Sequence, residues 1–229
     1  MRVLLISNSG RPYLEHCEQA VVTFLGAARR VAFVSAAALK DEATYYEIAR
    51  AALAGTSGAL TVDHLRWDAD YRPALAAAQA VFVGGGNTYA LLKRLRESGL
   101  LDAVRERVRA GLPYLGSSAG ANVAGPNILT TNDWNVVGLS TFTALGLVAF
   151  NVNPHYRETD PAMAPGSETR DERIAEYLLV NANPVVGIEE GTLVRVEDGV
   201  ATVWGRGRVK MFVAGREPRW IPAGERLPL

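Results

Sequence analysis

The sequence predicts an α/β fold in which a mostly parallel sheet is flanked by helices and the carboxyl end is given over to β-hairpins. Two observations carry this expectation. Short apolar runs, each closed by Gly, Ser, Asn or charged residues, read as strands buried on both faces, with helix-compatible segments between them. Beyond about residue 184 the helical segments stop, and apolar runs follow one another across turn signals such as Asp198-Gly199, the pattern of hairpins.

In chain order, strands are expected at 3–6, 31–34, 60–62, 81–83 and 114–115. Helices are expected between them, at 14–25, 44–54, 73–78, 89–97 and 102–110. The alanine-rich stretch at 74–80 is an ordinary helix rather than low complexity. The apolar segment at 145–150 ends in Asn-Val-Asn-Pro-His and reads as a strand running to the sheet rim. The closing hairpins take up 185–188, 193–196, 200–204 and 209–213.

No Pro/Ser-rich linker or break in composition divides the 229 residues, so one domain spanning 1–229 is expected. With 48% hydrophobic and 21% charged residues, the chain has the composition of a soluble globular protein that buries its core without metals or disulfides. Twenty-four basic residues balance twenty-four acidic ones, which leaves no electrostatic excess for nucleic acid or an anionic membrane. Cys17, the only cysteine, has no partner for a disulfide or a thiolate zinc site and reads as a small buried apolar residue. Nowhere do about eighteen apolar residues run together, and residues 1–6 are too short for a signal peptide, so a cytoplasmic protein is expected.

Chemistry collects at the carboxyl ends of strands in such sheets. There Gly116-Ser117-Ser118-Ala119-Gly120 forms a Gly-x-Ser-x-Gly pattern, the strand-to-helix elbow that tilts a serine hydroxyl out toward a base and a substrate. A second loop, Gly84-Gly85-Gly86-Asn87-Thr88, follows its own strand in the same way. It lacks the Lys-Ser/Thr of a P-loop, and Tyr89 stands where a dinucleotide fingerprint needs its third glycine, which argues against a nucleotide. Its backbone N–H groups instead suit an oxyanion. Of the three histidines, His16 lies in a helical pattern and His64 at a polar strand end, which leaves His155, after Asn153-Pro154, as the candidate base. Glu189 and Glu190 both follow the apolar run at 185–188, and either one fits a carboxylate that orients the imidazole. The order Ser, His, acid differs from that of ordinary α/β-hydrolases.

Several motifs in one order resemble the peptidase E family of aspartyl dipeptidases: Leu5-Ile6-Ser7-Asn8-Ser9, the glycine loop, the elbow with Ala121-Asn122, Thr130-Thr131-Asn132-Asp133, Asn153-Pro154-His155, Glu168-Thr169-Arg170 and Glu190-Gly191. The resemblance implies a class I glutamine amidotransferase-like fold and a serine peptidase acting on Asp-X dipeptides. It further implies Ser118 as nucleophile, His155 as base, Glu190 as acid, the amides of Gly86 and Ala119 as the oxyanion hole, and Asn87 and Arg170 as substrate-binding residues. An arginine fork suits the aspartate carboxylate, because a substrate without that group would leave Arg170 desolvated and unpaired. No metal or cofactor is implied, and a homodimer is. Ser117 departs from the tryptophan that bacterial members carry beside the nucleophile. The stretch from Pro161 to Gly166 is short of core pattern and is expected to be mobile and to close over substrate. Two rival readings remain: a cyanophycinase-like peptidase acting on β-aspartyl-arginine linkages, and a non-catalytic module of the same fold that binds an acidic ligand.

Overall fold

Short runs of mostly apolar residues make the strands that lie deepest, and the first five strands of the chain pair side by side. The computed structural model of the protein describes residues 1–57, 60–159, 164 and 166–229. Its strands are β1 (Arg2–Ile6), β2 (Arg30–Val34), β3 (Thr61–His64), β4 (Ala80–Val83), β5 (Tyr114–Ser117), β6 (Asn151–Asn153), β7 (Val185–Ile188), β8 (Thr192–Glu197), β9 (Val200–Gly205), β10 (Arg208–Phe212) and β11 (Arg219–Pro222). The helices are α1 (Glu18–Leu25), α2 (Glu42–Ser57), α3 (Arg72–Ala77), α4 (Thr88–Glu97), α5 (Leu100–Arg109), α6 (Ala119–Ala124) and α7 (Arg170–Val180).

A seven-stranded sheet runs in the order β3-β2-β4-β5-β1-β8-β9, parallel from β3 through β1 and antiparallel at β8 and β9. Alternate side chains feed two layers. Val3, Leu5, Val34, Val81 and Val83 pack with Leu75, Leu91, Leu95, Val104 and Val108 of α3, α4 and α5. Leu4, Ile6, Val31, Phe33 and Phe82 pack with Val21, Phe24, Ala49 and Leu53 of α1 and α2. Each such large side chain contributes about 1.5–3 kcal/mol relative to exposure, which is why strands with both faces covered carry no polar alternation. A second sheet, ordered β11-β10-β7-β6, has β6 parallel to β7 and the other pairs antiparallel.

Register brings the strand ends together. Ile6 lies opposite Ser117 and Val83 opposite Gly116, so β1, β4 and β5 finish level. In the second sheet Asn153 pairs with Gly187, so β6 and β7 also finish together.

The α/β architecture is the one expected, with α7 and β11 added where no element was expected and with three further local differences. The first helix begins at Glu18 rather than 14, because Leu14 sits at φ +70° in a run of turns that cannot continue a right-handed helix. The strand near 150 is the polar Asn151–Asn153, while 145–150 packs irregularly against the core. The closing strands do not form one set of hairpins. β8 and β9 pair in the first sheet and β10 and β11 in the second, whereas β7 pairs with β6 and β10 instead of its successor β8.

Candidate active site

The elbow follows from close packing. Ser118 lies between β5 and α6 at φ +53°, and its N–H donates to the Ile6 carbonyl at 2.9 Å. A Cβ at Gly120 would run into the Val83 carbonyl, and one at Gly116 into the Gly120 carbonyl. Glycines at both ends of Gly-x-Ser-x-Gly are therefore spatial requirements of this turn, which holds a non-glycine residue in the sparsely populated left-handed half of conformational space.

His155 arrives from the second sheet, two residues after β6 and also at φ +53°. Its N–H donates to Ser7 Oγ at 2.8 Å, and that hydroxyl donates to the Ile188 carbonyl at 2.8 Å, so Ser7 ties the ends of β1, β6 and β7 into one unit. The ring then lies with Nε2 2.9 Å from Ser118 Oγ and Nδ1 3.1 Å from Glu190 Oε1. A carboxylate only accepts, so the proton on Nδ1 belongs to the bond with Glu190, and Nε2 is left to accept from the serine hydroxyl. The hydrogen bond from His155 holds the Glu190 carboxyl below the usual carboxylate range against a smaller opposing effect of burial, and Arg157 Nη2, at 3.5 Å, adds to the depression. Both side chains remain partly open to solvent, at 39% for His155 and 44% for Glu190. Glu189 turns away: its carboxylate accepts from the Arg208 N–H at 3.2 Å and lies 3.4 Å from Arg208 Nε. The geometry thus separates the two glutamates that the residue pattern left open.

The glycine loop lies against the elbow, with the Cβ position of Gly85 3.1 Å from Ser118 Cβ. Four of its N–H groups are engaged: Gly84 donates to the Val34 carbonyl at 2.9 Å, Gly85 to Tyr45 Oη at 2.8 Å, Asn87 to the Ala37 carbonyl at 2.9 Å, and Thr88 to Asp133 Oδ2 at 2.7 Å. Gly86 is the member of the loop left with no acceptor among the described residues. Ala119, the first residue of α6, likewise offers its N–H beside Ser118. Such a pair of free donors flanking a hydroxyl suits a carbonyl oxygen that gains negative charge on attack.

Ser118, His155, Glu190, Gly85, Gly86 and Ser117 line one open cavity of about 830 Å³, and Arg11, Tyr13, His16 and Tyr45 form a further part of its wall. Ser117, the departure in the elbow, meets Ser9 hydroxyl to hydroxyl at 2.7 Å. Asn87 caps α4, its Oδ1 accepting from the Ala90 N–H at 2.9 Å while Nδ2 donates to the Trp134 carbonyl at 3.0 Å. Arg170 opens α7 and lines a second cavity of about 590 Å³ with Asn132, Asp133, Asn153 and Glu168. Its Nη1 donates to Asn132 and, at 3.0 Å, to Asn153 Oδ1. Asn132 Nδ2 in turn donates to the Pro154 carbonyl at 2.8 Å, so the arginine is held against the segment that delivers His155.

The other histidines lie elsewhere. His64 stacks on Tyr46 and bonds Ser35 Oγ at 2.6 Å, and His16, expected in a helix but lying before α1, bonds Asn8 Oδ1 at 3.0 Å on the cavity wall. Pro161, Ala162, Met163 and Pro165 of the stretch expected to close over substrate lie outside the described residues. Among the described residues no cluster of three or more His, Cys, Asp or Glu side chains is arranged to hold a metal ion, and no helix is long and apolar enough to cross a membrane. Ser7 and Asn8 stood in a motif of the resemblance without a role of their own, and Tyr45, a single polar residue on the inner face of α2, gave no signal in the sequence.

A model of peptidase family S51 matches residues 3–204, most of the chain and every element of the site. The chain belongs to peptidase family S51. Among relatives of this S51 peptidase, peptidase E of Streptomyces coelicolor is 44% identical over 99% of this chain and 93% of that one. A candidate alpha-aspartyl dipeptidase of Drosophila melanogaster is 44% identical over 93% and 90%. A crystal structure of a candidate peptidase E from Listeria monocytogenes EGD-e superimposes with a TM-score of 0.69 at 25% identity, covering 90% of this chain and 98% of that one.

Proposed function

We propose that this S51 peptidase is a serine dipeptidase that releases aspartate from Asp-X dipeptides. One observation carries the mechanism: the continuous pair of hydrogen bonds from Ser118 Oγ to His155 Nε2 at 2.9 Å and from Nδ1 to Glu190 at 3.1 Å. A serine hydroxyl is a weak nucleophile at neutral pH, so a base must take its proton as the C–O bond forms. His155 takes it, Ser118 Oγ bonds to the substrate carbonyl carbon, and the carbonyl oxygen becomes an anion facing the N–H groups of Gly86 and Ala119. Glu190 stabilises the resulting imidazolium and fixes its orientation. The intermediate collapses as Nε2 returns the proton to the leaving nitrogen, and X departs as a neutral amine. Water then repeats the sequence on the acyl-enzyme: His155 takes a water proton, the hydroxide oxygen bonds to the acyl carbon, and Ser118 recovers its hydroxyl as aspartate leaves.

The aspartate preference is supported by the name of the Drosophila relative and by Arg170, held by Asn132 and Asn153 beside the His155 segment. A guanidinium fork there pairs with the side-chain carboxylate. Asn87 contributes by fixing the glycine loop between α4 and Trp134. The same reading places the enzyme in the cytoplasm as a homodimer, and light scattering on the purified chain checks the second part.

The deciding experiment is hydrolysis of Asp-X, Glu-X, Asn-X and Ala-X dipeptides by the parent, Ser118→Ala and Arg170→Ala. The parent should favour Asp-X, Ser118→Ala should retain only residual activity, and Arg170→Ala should lose the preference. Full hydrolysis by Ser118→Ala rejects the mechanism, and an unchanged preference in Arg170→Ala removes that residue from the specificity assignment.

A further inference from the structure

We propose that Arg11 binds the α-carboxylate of the leaving residue, so that the enzyme selects substrates with a single residue beyond the scissile bond. The inference rests on the dipeptidase reading above and deepens it. A dipeptide differs from a longer peptide in one respect near the reacting atoms: a carboxylate is joined through one carbon to the leaving nitrogen. His155 Nε2 must deliver its proton to that nitrogen, so a receptor for the carboxylate has to share a cavity with His155. Among the residues lining that cavity, Arg11 is the only lysine or arginine. Its guanidinium makes no ion pair or hydrogen bond with a described residue, and Glu15, on the same wall, forms no ion pair with it.

The loop that carries Arg11 is anchored beside the reacting groups at its start, through Asn8 and Ser9. Ser9 Oγ lies 2.7 Å from Oγ of Ser117, the neighbour of the nucleophile. Asn8 Oδ1 accepts from the N–H of Gly191, the neighbour of Glu190, at 3.0 Å, and also lies 3.0 Å from His16 Nε2. Inside the loop the Leu14 N–H donates to the Ser9 carbonyl at 2.6 Å, which holds it closed. Arg11 therefore projects from a loop whose base is fixed relative to both Ser118 and Glu190. The remainder of that wall, Pro12, Tyr13, Tyr45 and Ile48, offers apolar surface to the side chain of X. The two arginines divide the work by position: Arg170 beside the segment before His155 takes the aspartate side chain, and Arg11 on the wall of the triad cavity takes the new terminus.

The test compares Asp-Leu with its carboxamide Asp-Leu-NH2 on the parent, Arg11→Ala and Arg11→Lys. In the parent kcat/KM should favour the free acid. In Arg11→Ala the ratio of the two kcat/KM values should fall by about 10- to 100-fold, the range for losing a hydrogen-bonded charge partner. Arg11→Lys, which keeps the charge but not the fork, should fall between them. An equal fall on both substrates, or an unchanged ratio, overturns the assignment of Arg11 while leaving the dipeptidase reading standing. A parent that hydrolyses neither substrate removes both.

Discussion

Gly86→Ala is the sharpest single change the site allows. Gly86 sits at φ +137°, in the region favouring glycine, and an added Cβ would lie 2.6 Å from the Ala37 carbonyl carbon and 2.9 Å from Ala37 Cβ. Relief requires the loop to rotate, and rotation turns the one unengaged N–H of the loop away from Ser118. A strained backbone costs about 1–3 kcal/mol, and overpacking costs about 1–3 kcal/mol more. The sum of about 2–6 kcal/mol is to be set against a total stability of about 5–15 kcal/mol for a typical domain. The variant is thus expected to stay folded at low temperature with a lowered urea midpoint. Its kcat on Asp-X should drop by about 10²- to 10³-fold, the effect of losing one oxyanion donor. Urea unfolding by circular dichroism and steady-state kinetics at a temperature where the variant is folded separate the two effects. A folded Gly86→Ala with kcat within about threefold of the parent would refute the assignment of this N–H.

Three further outcomes are expected from the same structure. Glu190→Gln keeps the shape but cannot hold an imidazolium, so kcat should fall by about 10²- to 10⁴-fold. Because His155 lowers the folded-state value of Glu190, its contribution to stability is present above the ordinary glutamate value of about 4.3 and is lost as pH falls through the lower folded value. With the side chain 44% exposed that contribution is small, and Glu190→Gln should abolish it, so parent and variant urea midpoints should converge below that range. A gap that widens there contradicts the sign. Burial pushes the Cys17 thiol up to about 12, with Glu18 adding to the shift. An Ellman-type reagent near pH 8 should therefore leave the native protein unmodified and find one thiol after denaturation, whereas native reaction at the rate of a free thiol would contradict the buried placement.

How much of this was legible in the sequence depended on how each element meets its surroundings. β1, β2, β4 and β5 are apolar on both faces because helices cover both, so their runs announced themselves. β6 did not, since its asparagines are buried and bonded to the distant 127–132 segment, with Asn151 Oδ1 left without a partner among the described residues. Asn153 Nδ2 donates to the Thr130 carbonyl and Asn132 Oδ1, each at 2.8 Å, and Asn151 Nδ2 donates to Asn127 Oδ1 at 2.6 Å. The split into two sheets was equally hidden, because β7 and β8 are both apolar and only their partners tell them apart. β11 is short and half exposed, and it left no pattern. At the site, Ser118 and the glycine loop were legible because close packing demands glycine. His155 emerged by elimination among three histidines. Glu190 and Glu189 were inseparable by residue pattern, because which of two adjacent carboxylates faces the imidazole is settled by Arg208 on a strand paired with β7.

Everything in this mechanism depends on activation of Ser118 by His155. The most direct measurement is covalent labelling with a fluorophosphonate followed by peptide mapping in a mass spectrometer, on the parent and on His155→Ala. A single adduct on Ser118 is expected in the parent, with loss of Asp-X hydrolysis in step with labelling, and almost none in His155→Ala. Undiminished hydrolysis after complete modification of Ser118, or an adduct confined to a different serine, would contradict it.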